Sequence, residues 1–98
     1  MEMTKSVQEN SVNIGLVGRL DTITAPELER ELQEILPDVK ELVLDFEGLE
    51  YISSAGLRVL LSAQKIMAKQ GEMRITHVNE TVMEIFEVTG FSDILTIQ

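Results

Sequence analysis

Two adjacent serines, Ser53 and Ser54, are the residues best placed to do chemistry in this sequence. They stand where an apolar run over residues 42–46 gives way to a long amphipathic stretch, a pattern that predicts a strand followed by a helix. A hydroxyl at the start of a helix faces backbone N–H groups that lack intrahelical partners. A phosphate attached there would lie beside the positive end of the helix dipole. The pair therefore indicates either a helix cap or a phosphorylation site.

Other reactive residue types form no recognisable catalytic set. Ser62 and Lys65 match the S-x-x-K spacing of some acyl-transfer enzymes, but the accompanying motifs are missing. His77 falls inside a predicted strand, and a hydrolase using Ser54 and His77 would also need an orienting acid and an oxyanion hole. We therefore predict that the protein is not an enzyme, with such a hydrolase as a remote alternative.

Asp21 and Asp45 follow or end predicted strands, so they could gather with Ser54 at one end of a parallel sheet. Two carboxylates could bind a metal, but their spacing matches no ligand motif, and turn or loop roles are expected more often. The sequence therefore predicts no metal and no cofactor of its own.

Size and charge narrow the class of protein. The 98 residues suit a single domain, residues 1–98, and 44% apolar with 26% charged residues is an ordinary globular balance. A net charge of −9 disfavours nucleic acid, whose binding rests on cationic side chains, and favours a protein partner. Cysteine is absent and no apolar run approaches the ~20 residues that span a bilayer, so we expect a cytoplasmic protein without membrane contact.

The order of elements predicts an α/β fold. Strands separated by helices imply crossover connections, a mixed but mainly parallel sheet of four to five strands, and three helices packed on it. The expected strands are an antiparallel pair turning at residues 9–11, a strand at 42–46 covered on both faces, a strand at 73–78 and an edge strand at 94–97. The first expected helix opens with a capping box over residues 24–27 and is stopped by Pro37. The second begins at Ser54, and the third is capped by Asn79 and ended by Gly90.

The second helix has two contrasting faces. One carries Gly56, Leu60, Ala63 and Met67, as expected of a core face, and the other carries Arg58, Ser62, Lys65 and Lys69. The basic stripe is a solvated face or a surface that meets an acidic partner. Leu57 and Leu61 lie between the two faces, where an apolar flank could bury against a partner.

Three segments together resemble the anti-sigma factor antagonists, which are bacterial STAS domains. They are Gly18-Arg19-Leu20-Asp21 before Thr24-Ala25, then Leu42-Val43-Leu44-Asp45, then Ser53-Ser54-Ala55-Gly56-Leu57. The resemblance implies a STAS-type sheet and a regulatory role. In that family a partner that is both anti-sigma factor and ATP-dependent serine kinase phosphorylates a serine at the start of the second helix. Phosphorylation weakens the complex, and a PP2C-type phosphatase restores it.

By this resemblance Gly56 and Leu57 fall on the family's Gly-Leu pair, which makes Ser54 the expected phosphorylated residue. Ser53 occupies a position often filled by aspartate and is the second choice. ATP and Mg²⁺ would be bound by the kinase, and the sigma factor released would then act in transcription. The resemblance also allows a non-phosphorylated adaptor or scaffold subunit of a signalling or lipid-transport assembly. The expected partner-binding residues are Asp21, Thr22, Ser53, Ser54, Gly56, Leu57, Arg58 and Leu61.

Overall fold

The computed structural model describes residues 1–98, which form four strands and three helices. Two short 3₁₀ helices lie at Leu36–Asp38 and Phe91–Asp93. In chain order the main elements are β1 (Glu2–Gln8), β2 (Ser11–Leu20), α1 (Ala25–Ile35), β3 (Glu41–Ile52), α2 (Ser54–Gln70), β4 (Glu72–Thr76) and α3 (Glu80–Thr89).

The sheet is mixed and mainly parallel, which confirms the predicted fold class. Its strand order is β1-β2-β3-β4, with β1 antiparallel to β2 and the remaining neighbours parallel. A turn at Glu9 and Asn10 joins the antiparallel pair, as predicted, and α1 and α2 form the crossovers between the parallel strands. The predicted edge strand at 94–97 is wrong, because only a single bridge joins Ile97 to Ile75.

β3 is longer than predicted and is not covered on both faces. Leu42, Leu44 and Phe46 lie in a core that all three helices share, whereas Asp45 is half-buried and Glu47 is exposed. The prediction was wrong because the helices share one core and leave the opposite sheet face open. The strand continues to Ile52 and stays paired with β2 across two register shifts.

The predicted capping box at the start of α1 is absent. Thr24 has helical backbone angles, and its side chain forms no cap hydrogen bond. Its hydroxyl instead donates to the carbonyl oxygen of Arg19 at 2.7 Å and accepts from the N–H of Asp21 at 2.8 Å. Thr24 therefore shapes the loop before the helix, and α1 ends at Ile35, just before Pro37 as predicted.

The other helix predictions are confirmed. The core face of α2 is buried and its basic face is exposed. The side chain of Asn79 accepts a hydrogen bond from the N–H of Val82 at 2.8 Å, and Gly90 ends α3 in the left-handed conformation with φ at 83°. None of the helices is long and apolar enough to cross a membrane.

Candidate functional site

The junction between β3 and α2 is held in place by backbone hydrogen bonds. Ser53 is the residue before α2 and has an extended backbone, with φ at −101° and ψ at 177°. Its N–H donates to the carbonyl oxygen of Leu20 at 2.9 Å, and its own carbonyl accepts from the N–H of Leu57 at 2.9 Å. The start of α2 is therefore fixed against the end of β2.

The two serine hydroxyls have different environments. The side-chain oxygen of Ser53 is buried and has no hydrogen-bond partner, while the side chain of Ser54, the first residue of α2, is exposed. Neither hydroxyl caps the helix, so the capping interpretation is wrong for both. Ser54 is the serine that a visiting protein can reach.

Several backbone donors lie open beside Ser54. The N–H groups of Ser54, Ala55 and Gly56 precede the first intrahelical hydrogen bond, and no side chain or loop carbonyl in the chain accepts from them. Donors at the start of a helix favour a negative group placed near them. This end of α2 can therefore stabilise added negative charge.

Gly56 allows the helix to start this close to the sheet. A Cβ atom there would lie 2.8 Å from the Leu20 side chain, 3.0 Å from the Leu20 carbonyl oxygen and 2.7 Å from the side chain of Ile52. Leu57 is only 7% exposed, and Leu61 is half-buried. Gly56 and Leu57 thus pack the junction, and the contact with a partner expected for Gly56, Leu57 and Leu61 stays a prediction.

The loop after β2 is shaped by Asp21. One oxygen of its carboxylate accepts from the N–H groups of Ile23 at 3.0 Å and Thr24 at 3.1 Å, and the other lies 3.8 Å from Nε of Arg19. The hydrogen bond from Thr24 contributes most to lowering the pKa of Asp21; the Ile23 N–H and Arg19 add to this, and desolvation opposes it. Asp21 therefore carries a negative charge and fixes the loop.

The same loop presents an apolar side chain that the sequence interpretation missed. Ile23 is 82% exposed, and Thr22 beside it is also exposed. The sequence did contain a signal for this exposed side chain. Ile23 stands in the run Asp21-Thr22-Ile23-Thr24, which has neither helical nor strand periodicity. Exposed apolar residues beside polar ones are typical of binding surfaces, although a single one is common on any protein.

The loop and the helix start are neighbours because Leu20 and Ser53 share a hydrogen bond. Arg58, one turn into α2, is exposed and follows Ser54 at the helical spacing of four residues. We call this surface the serine face. It consists of Asp21, Thr22, Ile23, Ser54 and Arg58.

Comparison with known proteins places this arrangement in a family. The family model described as "Mlab, STAS domain" matches residues 3–96, which is nearly the whole chain. The chain belongs to the STAS domain family.

Relatives of this STAS domain include proteins named as anti-sigma factor antagonists. BtrV of Bordetella bronchiseptica, a candidate anti-sigma factor antagonist, is 35% identical over 99% of this chain and 85% of its own length. The anti-sigma-B factor antagonist of Listeria monocytogenes is 31% identical over 96% of this chain and 84% of its own length. Both alignments cover most of each protein, and they confirm the predicted resemblance to anti-sigma factor antagonists.

A solved structure shares the fold. The phosphorylated form of SpoIIAA, a cell-fate determinant from Bacillus, superposes with a TM-score of 0.77 and is 19% identical over 99% of this chain and 91% of its own. At that identity the similarity establishes the fold alone.

Asp45 of this STAS domain lies far from the serine face, so the prediction that it gathers with Asp21 and Ser54 is wrong. It pairs with Gly15 in the middle of β2, whereas Ile52 pairs with the last residue of β2. The two positions on β3 are therefore roughly 20 Å apart. The sequence could not give this distance, because it depends on how far β3 extends.

Asp45 instead forms a second polar cluster with Glu47 and His77. An oxygen of Asp45 lies 2.9 Å from Nδ1 of His77 and accepts from the N–H of Glu47 at 3.0 Å. The ligand atoms of the three residues lie within 4.8 Å of one another, so they could hold a cation. His77 is exposed and follows β4 instead of lying within it, and the structure does not bring it together with Ser54.

Proposed function

We propose that this STAS domain is an anti-sigma factor antagonist that works as a phosphorylation-controlled partner switch. The unphosphorylated domain binds an anti-sigma factor that is also a serine kinase, and this binding releases a sigma factor for transcription. Phosphorylation of Ser54 reverses the binding. The observation that carries the proposal is the exposed Ser54 hydroxyl, presented at a fixed helix start beside a pre-shaped loop.

Ser54 suits a kinase substrate better than Ser53 does. A phosphoryl acceptor must reach the partner's active site, and the oxygen of Ser53 is buried. The backbone bond between Ser53 and Leu20 holds the exposed neighbour in one position. Such positioning lowers the entropic cost of reaching the transition state. In the proposed reaction the kinase binds ATP and Mg²⁺, and this domain contributes the hydroxyl.

The phosphate would leave the fold intact and weaken the complex. It adds a charge of about −1.5 to −2 at neutral pH, which the open N–H groups of Ser54, Ala55 and Gly56 can stabilise in the free protein. In a complex that buries Ile23 the same charge would have to lose its water. The cost therefore falls on the bound state and raises the dissociation rate.

A phosphatase is required to return the switch to its binding form. We infer a PP2C-type enzyme from the similarity of this chain to the anti-sigma factor antagonists. An exposed phosphoserine at the start of α2 is open to such an enzyme in the free domain, because the side chain of Ser54 projects from the surface.

The test is phosphorylation by the cognate kinase with ATP, followed by mass spectrometry to locate the phosphate. We expect one phosphate on Ser54, none on the Ser54→Ala variant, and undiminished labelling of Ser53→Ala, which removes the buried hydroxyl. Full labelling of Ser54→Ala would refute the assignment. A domain that binds its partner equally well with and without phosphate would instead be a constitutive adaptor.

A further inference from the structure

We propose that Arg58 is the intramolecular receiver of the phosphate on Ser54. In the phosphorylated domain its guanidinium pairs with the phosphate across one turn of α2, and this withdraws a positive charge from the serine face. The inference rests on the proposed function, because it requires phosphorylation of Ser54. It adds a second effect to the switch, since the modification both introduces negative charge and occupies a cation.

The spacing of the two residues favours the pair. Residues four apart on a helix have Cβ atoms about 5–6 Å apart, and long side chains lean toward the helix N-terminus. Arg58 therefore extends over the turn that carries Ser54. A planar guanidinium can donate two parallel hydrogen bonds to a phosphate, which makes arginine the preferred cation for this contact.

Arg58 is free to move to the phosphate. Its side chain is exposed and makes no hydrogen bond to another side chain or to the backbone. The chain has four ion pairs with N–O distances within 4.0 Å, and Arg58 takes part in none of them. Pairing with the phosphate therefore breaks no existing interaction.

The other nearby cations are less suited. Arg19 stacks on the ring of Tyr51, with its guanidinium carbon 4.7 Å from the ring centre, and also lies close to Asp21. Lys65 is on the same basic face of α2 but about 16 Å further along the helix axis from Ser54. Arg58 is thus the cation one turn from the proposed phosphate.

Other charged groups near the junction act on the phosphate as well. Asp21 on the loop and Glu50 on β3 are acidic and favour its monoanion, while Arg19 on β2 and the N–H groups at the start of α2 favour its dianion. These groups remain in a variant at position 58. A comparison of variants therefore isolates the contribution of Arg58.

The experiment uses the full chain with phosphoserine incorporated genetically at position 54, so that no kinase is needed. The second pKa of the phosphate is measured by ³¹P NMR titration in the parent, in Arg58→Ala, in Arg58→Lys and in the matched control Lys65→Ala. We expect Arg58→Ala to raise this pKa by about 0.15–0.4 unit, Arg58→Lys to keep at least half of the effect, and Lys65→Ala to shift it by less than about 0.1 unit.

A shift in Arg58→Ala no larger than that in Lys65→Ala would overturn the inference. Melting curves of the same four proteins show whether each is folded, and we expect single transitions with melting temperatures within about 4 °C of one another, because position 58 is exposed and the pair is weak. The result is independent of the kinase assay. Failure of the kinase to label Ser54 would refute the proposed function. The expected rise of the phosphate's second pKa in Arg58→Ala would still establish the pair between Arg58 and the phosphate.

Discussion

The serine face and the cluster of Asp45, Glu47 and His77 differ in how their polar groups are used. In the cluster, Asp45 bonds both to His77 and to a backbone N–H, so its donors and acceptors satisfy one another. At the serine face, Asp21 fixes a loop, but the Ser54 hydroxyl and the first N–H groups of α2 have no partners in the chain. The serine face thus combines a fixed backbone with polar groups that have no partner in the chain, whereas the carboxylate of Asp45 already has two.

The largest effect is expected from charge placed on the serine face. Ser54→Asp should weaken binding to the anti-sigma factor at least about 30-fold, roughly 2 kcal/mol, because a carboxylate would be desolvated in the interface. Isothermal titration calorimetry measures this affinity. Asp45→Asn, which changes charge in the cluster, should alter it less than about twofold. Equal losses in the two variants would abolish the distinction between the regions.

Substitutions at two glycines test how tightly the serine face and the surroundings of Asp45 are packed. Gly56→Ala should reduce the free energy of unfolding by about 1–3 kcal/mol, since its Cβ would press on the Leu20 carbonyl and two packed side chains. At Gly15, on the open sheet face near Asp45, a Cβ would meet only the side-chain oxygen of Thr4. Gly15→Ala should therefore cost less. Urea denaturation gives both values, and the reverse order would contradict the packing argument.

The exposed isoleucine offers a smaller test of the serine face. Ile23→Ser should weaken partner binding about fivefold, roughly 1 kcal/mol, because the interface would lose an apolar contact while the fold loses none. Val88 on α3 is 80% exposed and is the matched control. Val88→Ser should leave the affinity unchanged in the same titration. A loss of equal size at Val88 would show that the partner contact extends to α3.

The smallest effect concerns the pH dependence of the Asp21 loop. The pKa of Asp21 is lowered in the folded state, so its ionised form stabilises the fold above the unfolded pKa of about 3.9, and this contribution is lost as pH falls through the lower folded value. The stability advantage of the native protein over Asp21→Asn should therefore shrink between pH 6 and pH 3. Chemical denaturation at the two pH values measures it. An advantage that grows in acid would contradict the assigned hydrogen bonds.

Features set by local sequence were predicted well. The two faces of α2 follow from helical periodicity, and the limits of α3 follow from Asn79 and Gly90. The neighbouring positions of the Asp21 loop and Ser54 followed from the parallel order of β2 and β3. The family resemblance and the periodicity pointed to the same fold.

Features set by tertiary contacts were not predictable from the sequence. Thr24 fits a capping pattern, but its hydroxyl bonds to the Arg19 carbonyl, a contact that exists only once the loop has folded. The oxygen of Ser53 is buried by the surrounding fold. The distance between Asp45 and the serine face depends on how far β3 extends beyond Asp45, and the register shifts against β2 in that extension leave no clear sequence signal.

The hydrogen bond between Ser53 and Leu20 joins main-chain atoms, so it does not depend on the hydroxyl of Ser53. Replacement of Ser53 by alanine would therefore keep this bond and the backbone position of Ser54. The backbone of two neighbouring elements, and not a side chain of the first serine, thus sets where the second hydroxyl stands.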